Sequence, residues 1–207
     1  MQPIQNLLVI CTFIIMGIGF TITILRLIIN EGGFLGSPSI NPFLFYSGKI
    51  SIFFCWGLTL IKAIIPTFGW VIVPAWLSWL GACLLVIGTV VLLLSFYELG
   101  ASLRYGIPEK DTQLKTTGIY RFSRHPLYLG VFLVTLSCII FFPNPLNIII
   151  GLYSITTHYI MLLGEEKYLT KRFGTEWESY KNRVRRIIWA PFDNTNDIWC
   201  SIPSNEI

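Results

Sequence analysis

The sequence predicts an all-α fold: a polytopic membrane helical bundle of about five transmembrane helices, with a C-terminal helical hairpin and a cytosolic amphipathic tail. Three observations lead there. Of the 207 residues, 54% are hydrophobic and 13% charged, too little polar surface for a soluble domain of this size. The apolar residues come in runs of about 20, the length that crosses roughly 30 Å of hydrocarbon as a helix. The basic residues gather in two segments that three and five spans place on the same side of a bilayer.

The apolar runs cover residues 7–29, 43–65, 70–97, 127–142 and 146–163. The first lacks the basic leader and small-residue cleavage pattern of a signal peptide and is too long for one, so it reads as a retained helix. Turn-forming segments such as Glu31-Gly32-Gly33 separate the runs. Phe142-Pro143-Asn144-Pro145 is too tight a turn to host a domain, so the last two runs form an antiparallel hairpin.

The chain divides into three N-terminal transmembrane helices (1–97), a core (98–190) and a C-terminal tail (191–207). The 98–126 loop carries Arg104, Lys110, Lys115, Arg121 and Arg124. The segment after the last run carries Lys167, Lys171, Arg172, Lys181, Arg183, Arg185 and Arg186. The opposite loops, near 66–69 and 143–146, carry no Lys or Arg, so the N-terminus lies outside and the loop and C-terminus are cytosolic. The net charge of +4 then reflects topology and contact with anionic lipid, with no nucleic acid required. Lys49 and Lys62, toward the ends of the second run, can snorkel to the interfaces, and Trp70, Trp76 and Trp79 read as an interfacial belt.

Cys11, Cys55, Cys83, Cys138 and Cys200 show no CxxC spacing, and four of them lie in apolar runs. Neither a disulfide framework nor a metal site is expected. Beyond residue 164, Leu169, Phe173, Trp177, Tyr180 and Val184 recur at helical spacing, which predicts a segment that lies on the membrane or caps the bundle. Gly174 closes one helix, Thr175 and Glu178 predict a capping box opening the next, and Pro191 bounds it.

The densest polar cluster runs from Gly118 to Tyr128 and leads into the fourth helix. Pro126 suits the first helical position, and the free N–H groups that follow, flanked by Arg124 and His125, favour an anion. The fifth helix is expected to finish at Gly164-Glu165-Glu166, two carboxylates at the negative end of a helix dipole. The hairpin brings them level with Arg124, His125 and Tyr128. Two readings of this convergence stand: an ion-pair cluster pinning the hairpin ends, or a pocket for a zwitterion bearing an extra cation. His158 lies two turns before Glu165, at a depth where ionisable groups are costly. It either touches substrate as a base or is a neutral imidazole bonded to a neighbouring helix.

Arg124-His125-Pro126-x-Tyr128, about forty residues before Glu165-Glu166 and followed by Phe173-Gly174, Trp177 and Tyr180, resembles the isoprenylcysteine carboxyl methyltransferase and phospholipid methyltransferase superfamily. The resemblance covers residues 97–190 and includes Leu99-Gly100-x-Ser102-x-Arg104-x-Gly106-Ile107. It implies an S-adenosylmethionine-dependent membrane enzyme of the protein-S-isoprenylcysteine O-methyltransferase kind. The implied cofactor contacts are Leu114, Lys115, Tyr120, His125, Pro126, Leu127, Tyr128 and Glu165, with Arg124 and Glu166 close by. The glutamates would meet the amino group or sulfonium, and the helix N-terminus the carboxylate.

The implied acceptor is lipid-like, an isoprenylcysteine carboxylate or a phospholipid amine, entering laterally from the membrane. A carboxylate would need no general base; an amine or thiol would need His125, Tyr128 or His158. The pattern departs at Met161, where prenylcysteine-type members usually carry a substrate-holding arginine. Two other classes share parts of the pattern: membrane sterol or steroid-type NADPH reductases and non-catalytic membrane ligand-binding proteins. The reductases commonly follow their RHPxY-like motif with an acidic residue, and here Leu129-Gly130 stands there.

Overall fold

The computed structural model describes residues 3–31, 36–69, 71–100, 106 and 113–188. Its elements are α1 (Pro3–Glu31), α2 (Pro42–Ile64), α3 (Ala75–Leu99), a one-turn 3-10 helix (Gly118–Arg121), α4 (Pro126–Phe141), α5 (Pro145–Phe173) and α6 (Thr175–Lys181). Pro191, Cys200 and most of the 101–112 loop, with Arg104 and Lys110, lie outside the described residues, as do Trp70 and the Gly32-Gly33 pair.

Four helices, α1, α2, α3 and α5, are long and apolar enough to cross a membrane. The fourth of the five expected spans is shorter. α4 has 16 residues, about 24 Å of helix at 1.5 Å per residue. Its packing accounts for this. Most of its residues are buried, its most extensive neighbour is α3, and α2 and α5 cover other faces, so it need not match the bilayer on its own. Small residues let the backbones approach: a Cβ at Gly88 would lie 2.8 Å from the Val134 backbone N, and one at Gly130 would lie 2.8 Å from the Leu92 backbone N. Outside this core, Ile14, Ile15, Ile18 and Ile22 of α1 are exposed, as a lipid-facing surface requires.

The hairpin forms as its turn predicts. Asn144 accepts a hydrogen bond from Leu146 N at 3.0 Å, and Pro145 takes the first helical position of α5. Just beyond, buried Asn147 donates from Nδ2 to the carbonyls of Cys138 (3.1 Å) and Phe142 (3.0 Å) and to Thr59 Oγ1 (3.4 Å). One amide thus satisfies the carbonyls at the end of α4 and ties the turn to α2. At this same end Lys62 donates to the Pro66 and Phe68 carbonyls at 2.8 and 2.9 Å.

Two local expectations change. α5 does not end at Glu166 but continues to Phe173, well past the level at which α4 begins, so the hairpin helices are unequal. The glutamates therefore sit inside the helix, not on its dipole end. Helix α6 has no capping box either: Gly174 is its N-cap, Thr175 is already helical, and no side chain caps it. Gly174 takes φ 49°, which turns the chain sharply enough for one helix to start where the other stops. The segment that follows caps the bundle, with Trp177, Tyr180 and Ile187 buried.

Candidate active site

The start of α4 is held from behind by this C-terminal segment. Arg124 N donates to Arg185 O at 2.9 Å, Ser123 Oγ to Arg186 O at 3.0 Å, and Tyr180 OH to Tyr120 O at 2.6 Å. Burial pushes both phenols, Tyr120 and Tyr180, well above the ordinary value, so both remain protonated donors at neutral pH. His125 is the N-cap of α4, Pro126 its first residue, and the Ser123 hydroxyl accepts from His125 N at 3.2 Å.

Glu166 lies at the centre of a buried ion cluster. Its Oε2 accepts two bonds from Arg186, from Nη2 at 2.8 Å and Nε at 3.0 Å. Its Oε1 faces His125 Nε2 at 3.1 Å and Arg124 Nη2 at 3.5 Å. Two guanidiniums and an imidazole hold this carboxylate charged where burial alone would oppose it. The Arg124 guanidinium also lies over the Trp177 ring, 5.6 Å from its centroid.

Glu165 points elsewhere, because neighbouring residues on a helix diverge by about 100°. Tyr128 OH donates to its Oε1 at 2.6 Å. The Tyr128 ring lies between those of His125 (5.9 Å) and His158 (6.4 Å), with Phe132 at 6.3 Å. His158 is buried and bonds within its own helix: Nδ1 lies 2.8 Å from Ser154 O, so Nδ1 carries the proton and Nε2 is the accepting nitrogen of the neutral ring. The adjacent glutamates thus separate into one bound to cations and one bound to a tyrosine whose ring lies beside His158.

Of the residues singled out from sequence, Arg124, His125, Tyr128, His158, Glu165 and Glu166 converge here, and Tyr120 lies within electrostatic reach of Glu165. Pro126 opens the helix, and Leu127 is half-buried beside it. Leu114 and Lys115 lie in the extended stretch before the 3-10 helix, where Lys115 Nζ is 3.9 Å from Glu98 Oε2. Glu98, at the end of α3, also faces Tyr120 electrostatically and abuts Gly118, which joins that stretch to the cluster. Sequence reasoning missed Arg186 and Trp177 as parts of this site. Arg186 counted only as one tail cation among several, and nothing in its spacing links it to Glu166. Trp177 was visible as part of the aromatic tail pattern, but its place under Arg124 was not.

With this geometry in view, residues 76–176 match the phospholipid methyltransferase family. Over that segment the chain is similar to this family. The family segment runs from the start of α3 through the hairpin into α6 and holds every residue of the cluster except Arg186 and Trp177. The chain is 32% identical over 109 residues to protein-S-isoprenylcysteine O-methyltransferase of Saccharomyces cerevisiae, covering 51% of this chain and 46% of that one. It is 33% identical over 112 residues to the protein of the same name from Dictyostelium discoideum, covering 52% and 47%. It is also 36% identical over 80 residues to methanethiol S-methyltransferase of Crocosphaera subtropica, covering 37% and 29%. The chain spans about half the length of the isoprenylcysteine relatives it matches.

Proposed function

We propose that this chain is an integral-membrane methyltransferase that moves the methyl group of S-adenosylmethionine to a lipid-like acceptor, of the protein-S-isoprenylcysteine O-methyltransferase kind. The observation that carries the reading is the division of the two glutamates in a family whose relatives are named methyltransferases. Glu166 builds the site, which leaves Glu165, half-buried beside Tyr128, to face a ligand.

The donor set fits the cofactor. A carboxylate suits an ammonium or sulfonium, and a helix N-terminus flanked by Arg124 and His125 suits a carboxylate. When bound, S-adenosylmethionine supplies a methyl group activated on a sulfonium. Glu165 would take its cationic side and the first turn of α4, from Arg124 to Tyr128, its anionic side, with Glu166 holding Arg124 and His125 in place behind it. Leu114, Lys115 and Tyr120 would close the pocket from the preceding loop. Tyr128 orients Glu165 through its hydroxyl. A carboxylate acceptor loses no proton; for a thiol or amine, His158 Nε2 would take one, with His125 and Tyr128 as the other titratable groups. Alignment of the reactants contributes roughly 7–11 kcal/mol in reactions of this type.

The charge asymmetry of the loops supports an orientation with the N-terminus outside and the site cytosolic. The test of the function is calorimetric titration of the purified full chain with S-adenosylmethionine and, separately, with NADPH. Saturable binding of S-adenosylmethionine, weakened at least about tenfold by Glu165→Gln, is expected. Binding of NADPH alone would overturn the methyltransferase reading in favour of a reductase, and binding of neither would favour a non-catalytic role.

A further inference from the structure

Lys49 is a cation inside a membrane-spanning helix. It stands two turns into α2, about 10 Å along the axis from Pro42. Charges at such depth face the bundle interior or a watery cavity and mark functional sites more often than topology. Lys49 is half-buried, between buried Gly48 and, three residues on, buried Ile52. Gly48 packs directly on α5, where an added Cβ would lie 2.8 Å from both Thr157 Cβ and Met161 Cε.

The side chain leans toward the start of its helix, as helical side chains do, with Nζ 5.4 Å from the Phe45 ring centroid. α2 and α5 are antiparallel, since Gly48 meets Thr157 and Met161 while Cys55 and Thr59, further along α2, meet Asn147 at the start of α5. That lean therefore carries the ammonium along α5 from the level of Thr157 toward Glu165. Both Glu165 and His158 lie within its electrostatic reach. Three helices thus contribute polar groups to one region of the bundle: Lys49 from α2, Tyr128 from α4, His158 and Glu165 from α5.

The charge of this region selects what enters it. Around this cluster Lys49, Lys115, Arg124 and Arg186 stand against Glu98, Glu165 and Glu166, four cations to three carboxylates, a net +1. S-adenosylmethionine, with one carboxylate, one ammonium and one sulfonium, adds another +1. At low dielectric a surplus of about two positive charges favours an anionic second ligand and opposes a cationic one.

We propose that Lys49 holds the anionic head of the methyl acceptor, and that it thereby selects carboxylate or thiolate acceptors over lipid amines. This rests on the methyltransferase reading above. With such an acceptor, a lone pair on its oxygen or sulfur forms the new bond to the methyl carbon as the carbon–sulfur bond breaks. The bonding pair returns to sulfur, which leaves as a neutral thioether; a carboxylate loses no proton, whereas a thiol first gives its proton to a base such as His158 Nε2 and attacks as the thiolate.

The test uses the full chain in phosphatidylcholine vesicles, with radiolabelled S-adenosylmethionine and three acceptors: N-acetyl-S-farnesylcysteine, decanethiol and phosphatidylethanolamine. Label is expected in the carboxylate or the thiol, the two arms distinguishing these sources, and not in the amine lipid. Lys49→Met should raise the acceptor KM at least about tenfold without weakening S-adenosylmethionine binding, and Lys49→Arg should restore most of it. Transfer to phosphatidylethanolamine alone, or an unchanged acceptor KM in Lys49→Met, overturns the role of Lys49. Failure of the wild-type chain to bind S-adenosylmethionine would instead refute the underlying function, and that binding is measured separately.

Discussion

Exchanging each glutamate for glutamine separates what builds the site from what serves a ligand. In Glu166→Gln the carboxylate facing Arg124, His125 and Arg186 becomes neutral. Breaking a buried pair from one side costs about 3–5 kcal/mol, because the remaining charge has lost its counterion. The Arg186 side chain is 16% exposed and that of Glu166 11%, so water compensates in part and the lower end, about 3 kcal/mol, applies. At about 2–4 °C per kcal/mol for a chain of this length, the detergent-solubilised protein should melt some 6–12 °C lower. Glu165→Gln should melt nearly as wild type, because the amide oxygen still accepts from Tyr128 OH, while S-adenosylmethionine affinity falls as stated above. Differential scanning fluorimetry and calorimetric titration on both variants make the comparison. If Glu165→Gln melts as low as Glu166→Gln, or Glu166→Gln melts like wild type, the assignment of building and binding roles is wrong.

Two further substitutions probe the scaffold. Gly130→Val would place a side chain against the backbone of Leu92, which cannot yield, and should abolish monodisperse protein on size exclusion; an unaltered profile would mean that α3 and α4 do not approach so closely. Asn147→Ala removes the donor shared by Cys138 O, Phe142 O and Thr59, and should cost about 1–2 kcal/mol, read as a lower melting temperature with S-adenosylmethionine affinity unchanged, since it lies at the opposite end of the hairpin from Glu165.

The helices were legible because length and apolarity decide them: runs such as 43–65 and 70–97 reappear in α2 and α3 with small shifts at their ends. The hairpin turn was legible because Asn144 and Pro145 are local signals with local effects. The end of α5 was not, since Lys167, Lys171 and Arg172 mark where hydrocarbon stops, and a helix continues past that level without penalty. The length of α4 was legible as the 127–142 run, but its burial against α3 was not, because hydropathy does not distinguish facing lipid from facing another helix. At the site, spacing brought Arg124, His125, Tyr128 and both glutamates together, but which partner each carboxylate takes is a tertiary fact. Lys49 shows the same limit, for a lysine near a helix end reads alike whether it reaches outward to lipid headgroups or inward along a neighbouring helix.

The backing of the α4 entrance by residues 185 and 186 has a consequence for biosynthesis. The described apolar helices all precede these residues, so a nascent chain can insert them while Glu166 still lacks Arg186 and residues 123–124 still lack their bonds to the 185–186 carbonyls. Insertion and assembly of the site are then successive events. A chain stopped after Lys181 would be a fully threaded membrane protein with its hairpin in place and its entrance unmade.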